Sequence, residues 1–114
     1  TNFAMLEMLR GDNLRKEVYE PVANLGHTAM EMVEFVNDIL NESSEYACKN
    51  FILSGGVKNF LDGYYLTEKI NANAIYGQAS ALLKYAKSSY EELSEYLELQ
   101  IKSLQMAKGF LRVR

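Results

Sequence analysis

Residues 67–111 read TEKINANAIYGQASALLKYAKSSYEELSEYLELQIKSLQMAKGFL, and the fold turns on whether this stretch is one helix. Tyr76, Ala79, Leu83, Ala86, Tyr90, Leu93, Leu97, Gln100, Leu104, Ala107 and Leu111 follow one another in alternating steps of three and four. Gln100 is the one polar member. Such spacing keeps a single helix face apolar and is a heptad seam. It predicts a helix from Thr67 to about Leu111. Ser88-x-x-Glu91 and Ser89-x-x-Glu92 match the capping box and would allow a break near Ser88. The uninterrupted seam favours continuity. At 1.5 Å per residue the helix would be about 65 Å long.

Working outward, Leu14 to Leu40 carries a second seam at Val18, Val22, Leu25, Ala29, Met32, Val36 and Ile39. It predicts a helix of about 40 Å. Pro21, the only proline, removes a backbone donor inside it, and Gly26 weakens it further, so a kink is expected there. Asn2 to Arg10 reads as a short helix ended by Gly11. Asn41 to Ser44 is a turn. Glu45 to Leu53 reads as a short helix ended by Ser54-Gly55-Gly56, and Val57 to Leu61 as a short apolar piece. The expected fold is therefore all-α: one helical domain over residues 1–114, an elongated antiparallel bundle with one long C-terminal helix and short connecting helices. The longer helix outruns its partner and leaves seam uncovered. Tyr76, Leu83, Tyr90, Leu93, Leu97, Leu104 and Leu111 are the candidate interface with another protein chain.

Composition narrows the function classes. With 114 residues the chain has room for one core. A net charge of −3 argues against a protein whose main task is gripping phosphate backbone. Cys48 is the only cysteine, so no internal disulfide exists, and its apolar flanks read as a buried structural thiol. His27 is the only histidine, which excludes a multi-histidine metal site within one chain. No apolar run approaches the length of a membrane span. The expected setting is cytoplasmic.

The chemical motifs are few. Glu91-Glu92-x-x-Glu95 resembles the first half of the magnesium-binding pattern of all-α nucleotide pyrophosphohydrolases, in which carboxylates on two helices hold the metal that grips the phosphates. The downstream Glu-x-x-Asp half is missing, because no Asp follows Asp62. Glu31, Glu34 and Asp38 would have to complete the site from upstream. A di-iron bundle needs Glu-x-x-His pairs, and Asn24 stands three residues before His27. Lys69-x-x-x-Asn73-Ala74-x-Tyr76-Gly77 resembles the Lys-x-x-x-Asn-Ser-x-Tyr-Gly motif of family B DNA polymerases, whose lysine contacts the incoming triphosphate. That likeness spans nine residues, and the chain lacks the polymerase's length, acidic metal motifs and palm. Arg10-Gly11-Asp12 and the sequon Asn41-Glu42-Ser43 matter only outside the cell.

Eight tyrosines give large contact area with polar tips, and five methionines give adaptable packing. Lys102, Lys108, Arg112 and Arg114 make the C-terminal end basic. The resulting expectation is a non-enzymatic structural or interaction protein, without catalytic, cofactor or metal residues, that self-associates as a homo-oligomer or docks in a larger assembly. The alternatives are a metal-dependent nucleotide hydrolase using the two carboxylate clusters, and a small helical subunit of a nucleoprotein complex. Nucleic acid is the less favoured partner.

Overall fold

The computed structural model describes residues 13–23, 25–43 and 45–114, so the expected Asn2–Arg10 helix and the Arg10-Gly11-Asp12 tripeptide lie outside the described residues. Among the described residues five helices and two short strands follow in the order α1 (Asn13–Ala23), α2 (Ala29–Glu42), β1 (Asn50–Leu53), α3 (Phe60–Lys69), β2 (Asn73–Tyr76), α4 (Ser80–Ala86) and α5 (Tyr90–Phe110). The chain is mostly helical, which is the expected class in its coarse form. The strands are an addition to it.

The expected helix over Leu14–Leu40 is two helices, and the break falls at Gly26 rather than Pro21. Pro21 lies inside α1, near its C-terminal end. Gly26 has φ +115°, a conformation open to glycine and strained for other residues. Two residues on, Thr28 offers a stronger start. Its Oγ1 accepts from the Glu31 N–H at 3.2 Å, while the Glu31 carboxylate accepts from the Thr28 N–H at 2.6 Å. This reciprocal capping box satisfies donors that a continuous helix would have bonded internally. Asn13 to Val22 are exposed at every position, so α1 buries no face of its own.

The expected helix over Thr67–Leu111 is also corrected. It is divided among the end of α3, β2, α4 and α5, and α5 with 21 residues is about 31 Å long. The helix stops at Lys69 because another residue takes its backbone groups. Asn37 Nδ2 donates to the Lys69 carbonyl at 2.8 Å, and Asn37 Oδ1 accepts from the Asn71 N–H at 2.7 Å. The asparagines at 71 and 73 favour non-helical backbone, and Ile75 and Tyr76 favour a strand. Ser89 caps α5 by accepting from the Glu92 N–H at 3.1 Å, so the break near Ser88 occurs.

The expected helix over Glu45–Leu53 gives way to β1. Its alternating burial puts Phe51 and Leu53 inward and Asn50 and Ile52 outward. β1 pairs in parallel with β2, Asn50 opposite Asn73 and Leu53 opposite Tyr76, and α3 is the crossover that parallel strands require. Asn73 Nδ2 donates to Asn50 Oδ1 at 2.6 Å on the outer face. Val33, Val57, Leu66 and Ile70 form the buried centre, with Phe51, Leu53, Ala74 and Tyr76 packed around it. On the other side of α3, Tyr64 is buried and its hydroxyl donates to the Leu111 carbonyl at 3.1 Å. That bond ties α3 to the segment after α5. Tyr85 and Tyr96 stack with ring centres 4.2 Å apart where α4 meets α5.

Candidate functional site

The division of the C-terminal stretch scatters the seven seam residues. Tyr76, Leu97 and Leu104 come together around one open cleft of about 420 Å³, with Gly77, Gln78, Leu82, Gln100 and Ile101 completing its wall. The Gln100 side-chain oxygen is buried without a hydrogen-bond partner. Burial raises the Tyr76 phenol above its ordinary pKa of 10.0, and the nearby Tyr96 adds to the shift. Leu93 is half-buried. Leu83 faces outward on α4, and Tyr90 and Leu111 lie at opposite ends of α5. These seven residues are therefore not one continuous helix face.

The larger apolar exposure lies elsewhere. Along α1 and the turn after it, Leu14, Val18, Val22 and Leu25 are exposed. Met32, Phe35 and Ile39 form an exposed stripe on α2 at steps of three and four, with Met32 at its edge, where it shares a cavity wall with Val33 and β1. Leu99, Met106 and Phe110 form another on α5, where Phe110 is 85% exposed. Next to it, Phe60, Leu61, Met106, Ala107 and Phe110 wall an apolar groove of about 300 Å³. Leu61, Leu99, Met106, Phe110 and Phe35 were absent from the sequence-level interface. The signal that could have found them is that α2 and α5 each carry apolar residues on more than one face.

The carboxylates point to water. Glu31, Glu34, Asp38, Glu91, Glu92 and Glu95 are all exposed, and among the described residues no group of three His, Cys, Asp or Glu side chains converges as a metal site. The paired-cluster geometry that a nucleotide hydrolase would need is not formed. Glu31 serves the α2 cap instead. Hydrogen bonds from the Thr28 backbone and then its hydroxyl hold its carboxyl below the ordinary 4.5, with a smaller contribution from His27. The His27 ring meets Phe35 edge-on at 5.0 Å.

Cys48 is exposed, with its thiol donating to the Asn50 carbonyl at 3.2 Å, which corrects the expectation of a buried thiol. Residues 47–50 are all exposed ahead of the half-buried Phe51. The Lys69–Gly77 motif serves the fold. Lys69 Nζ donates to the Arg114 carbonyl at 2.6 Å, Asn73 bonds Asn50, and Gly77 N–H donates to the Leu53 carbonyl at 2.8 Å. No helix among the described residues is long and apolar enough to cross a membrane. Comparison with protein-family models, with curated proteins and with solved structures finds no match.

Proposed function

We propose that this chain is a non-enzymatic interaction protein that works by association, with further copies of itself or within a larger assembly. One observation carries the reading. The buried apolar side chains among the described residues are Val33, Val57, Tyr64, Leu66, Ile70 and Ala107, whereas twenty large apolar residues stay exposed. Scattered exposed leucines are ordinary, but stripes at helical spacing on three helices are what partner surfaces look like. Helix-on-helix packing between copies would cover these stripes and build an antiparallel bundle. A cytoplasmic setting accords with the lone thiol.

Sedimentation velocity with light scattering over a concentration series tests the proposal. A mass at a multiple of 13.0 kDa is the expected result. Leu97→Glu, at an exposed seam position, should weaken the association if the cleft side of α5 takes part. A monomer at every concentration, with no partner retained at low salt, would overturn the reading.

A further inference from the structure

We infer that the association joins two unlike surfaces: the acidic apolar face of α2 on one copy seats on the basic C-terminal end of α5 on another. The inference rests on the association reading above and adds which surfaces meet. α2 contains Glu31, Glu34, Asp38 and Glu42 and no lysine or arginine. Residues 102–114 contain Lys102, Lys108, Arg112 and Arg114 and no acidic residue. The two segments therefore carry opposite charges in equal number.

Each charged segment also bears exposed apolar side chains. On α2 these are Met32, Phe35 and Ile39; at the C-terminal end they are Met106, Phe110 and Leu111. Apolar area supplies the attraction, and complementary charge selects the partner and orients it. Among the described residues no ion pair joins the two segments within one chain, where Lys102 instead pairs with Glu98 at 3.7 Å. The groove beside Phe60 and Leu61 lies at the start of α3, whereas α2 is anchored through Asn37 to its end. Arg114 returns to that end, where its carbonyl accepts from Lys69 Nζ, but no α2 residue lines the groove within one chain, which leaves it open to a second copy. A contact between unlike surfaces closes as a ring or a two-fold pair, or runs on as a filament.

A mixing experiment decides it. Phe35→Lys with Ile39→Lys blocks the α2 face, and Met106→Glu with Phe110→Glu blocks the α5 end. All four positions are exposed, and circular dichroism confirms that each variant keeps its helices. Each variant alone is expected to sediment as a monomer, with association at least tenfold weaker than wild type. Mixed in equal amounts, the two should form a 1:1 complex, because each retains the surface the other lacks. Raising salt from 50 to 500 mM should weaken that complex several-fold as the charges are screened. If wild type associates but either variant alone still does, or the mixture stays monomeric, the pairing is overturned while the broader reading stands. If wild type is monomeric throughout, both fall.

Discussion

The ring of Tyr76 lies against the backbone of Gly63, so close that a Cβ built on Gly63 would stand 2.5 Å from three of its ring carbons. This contact presses β2 onto α3 and sets how near the strand pair comes to the crossover helix. Gly63→Ala should destabilise the fold by about 1–3 kcal/mol, the usual cost of overpacking. The cost should shrink in a Tyr76→Ala background, where the obstructing ring is gone. Urea unfolding of the two single variants and the double variant checks this, and additive effects would contradict it.

Asn37 spans two backbone groups at the end of α3 with one amide. Asn37→Leu leaves the Lys69 carbonyl and the Asn71 N–H without that partner. A loss of about 1–3 kcal/mol is expected. Asn37→Asp keeps the acceptor for Asn71 and loses the donor to Lys69, so its cost should be smaller near neutral pH. Thermal melts of the two variants should rank them in that order.

The cap of α2 makes a pH-dependent contribution. Because the Glu31 carboxyl is held below its ordinary 4.5 in the folded chain, folding favours the ionised form. Its stabilisation is full above about 4.5 and is lost as pH falls through the lower folded value. Glu31→Gln should remove this acid sensitivity, read as hydrogen exchange of the first-turn amides of α2 between pH 6 and pH 3. Thr28→Ala should cost about 1 kcal/mol at neutral pH, the ordinary value for a lost cap.

Gln100 buries an amide oxygen with no partner, the polar interruption of an otherwise apolar series. Gln100→Leu should raise stability by about 1 kcal/mol, since it removes a desolvated acceptor at nearly constant volume. A lower melting temperature would show that the amide is used.

What the sequence made legible was local. The Ser89 capping motif and the tyrosine-bearing helix after it are written in short-range spacing, and the structure contains them, whereas the seam read through Met32 and Ile39 is exposed and Val33, outside that seam, is the buried residue of α2. What it concealed was decided between distant residues. The seam from Tyr76 to Leu111 is continuous on paper, yet Asn37, more than thirty residues upstream, takes the backbone groups on either side of Ile70 and stops the helix. Four-residue strands such as Asn50–Leu53 and Asn73–Tyr76 are too short to announce themselves, and their pairing depends on Gly63 admitting a ring. The exposed stripes at Phe35 and Phe110 were hidden by the assumption that each helix has one apolar face.

The parallel pairing of Asn50 with Asn73 also favours one order of events in folding. The two strands are separated by 23 positions and cannot meet through a tight hairpin. Closing that loop before α3 forms would fix many residues for a four-pair ladder. Once α3 is wound, the ends it connects are brought near each other and the ladder can close. The helix is therefore expected to be structured in the rate-limiting step, and the strands to lock afterwards. Changes that weaken α3 would slow folding, whereas changes in the outward Ile52 and Ile75 would chiefly hasten unfolding.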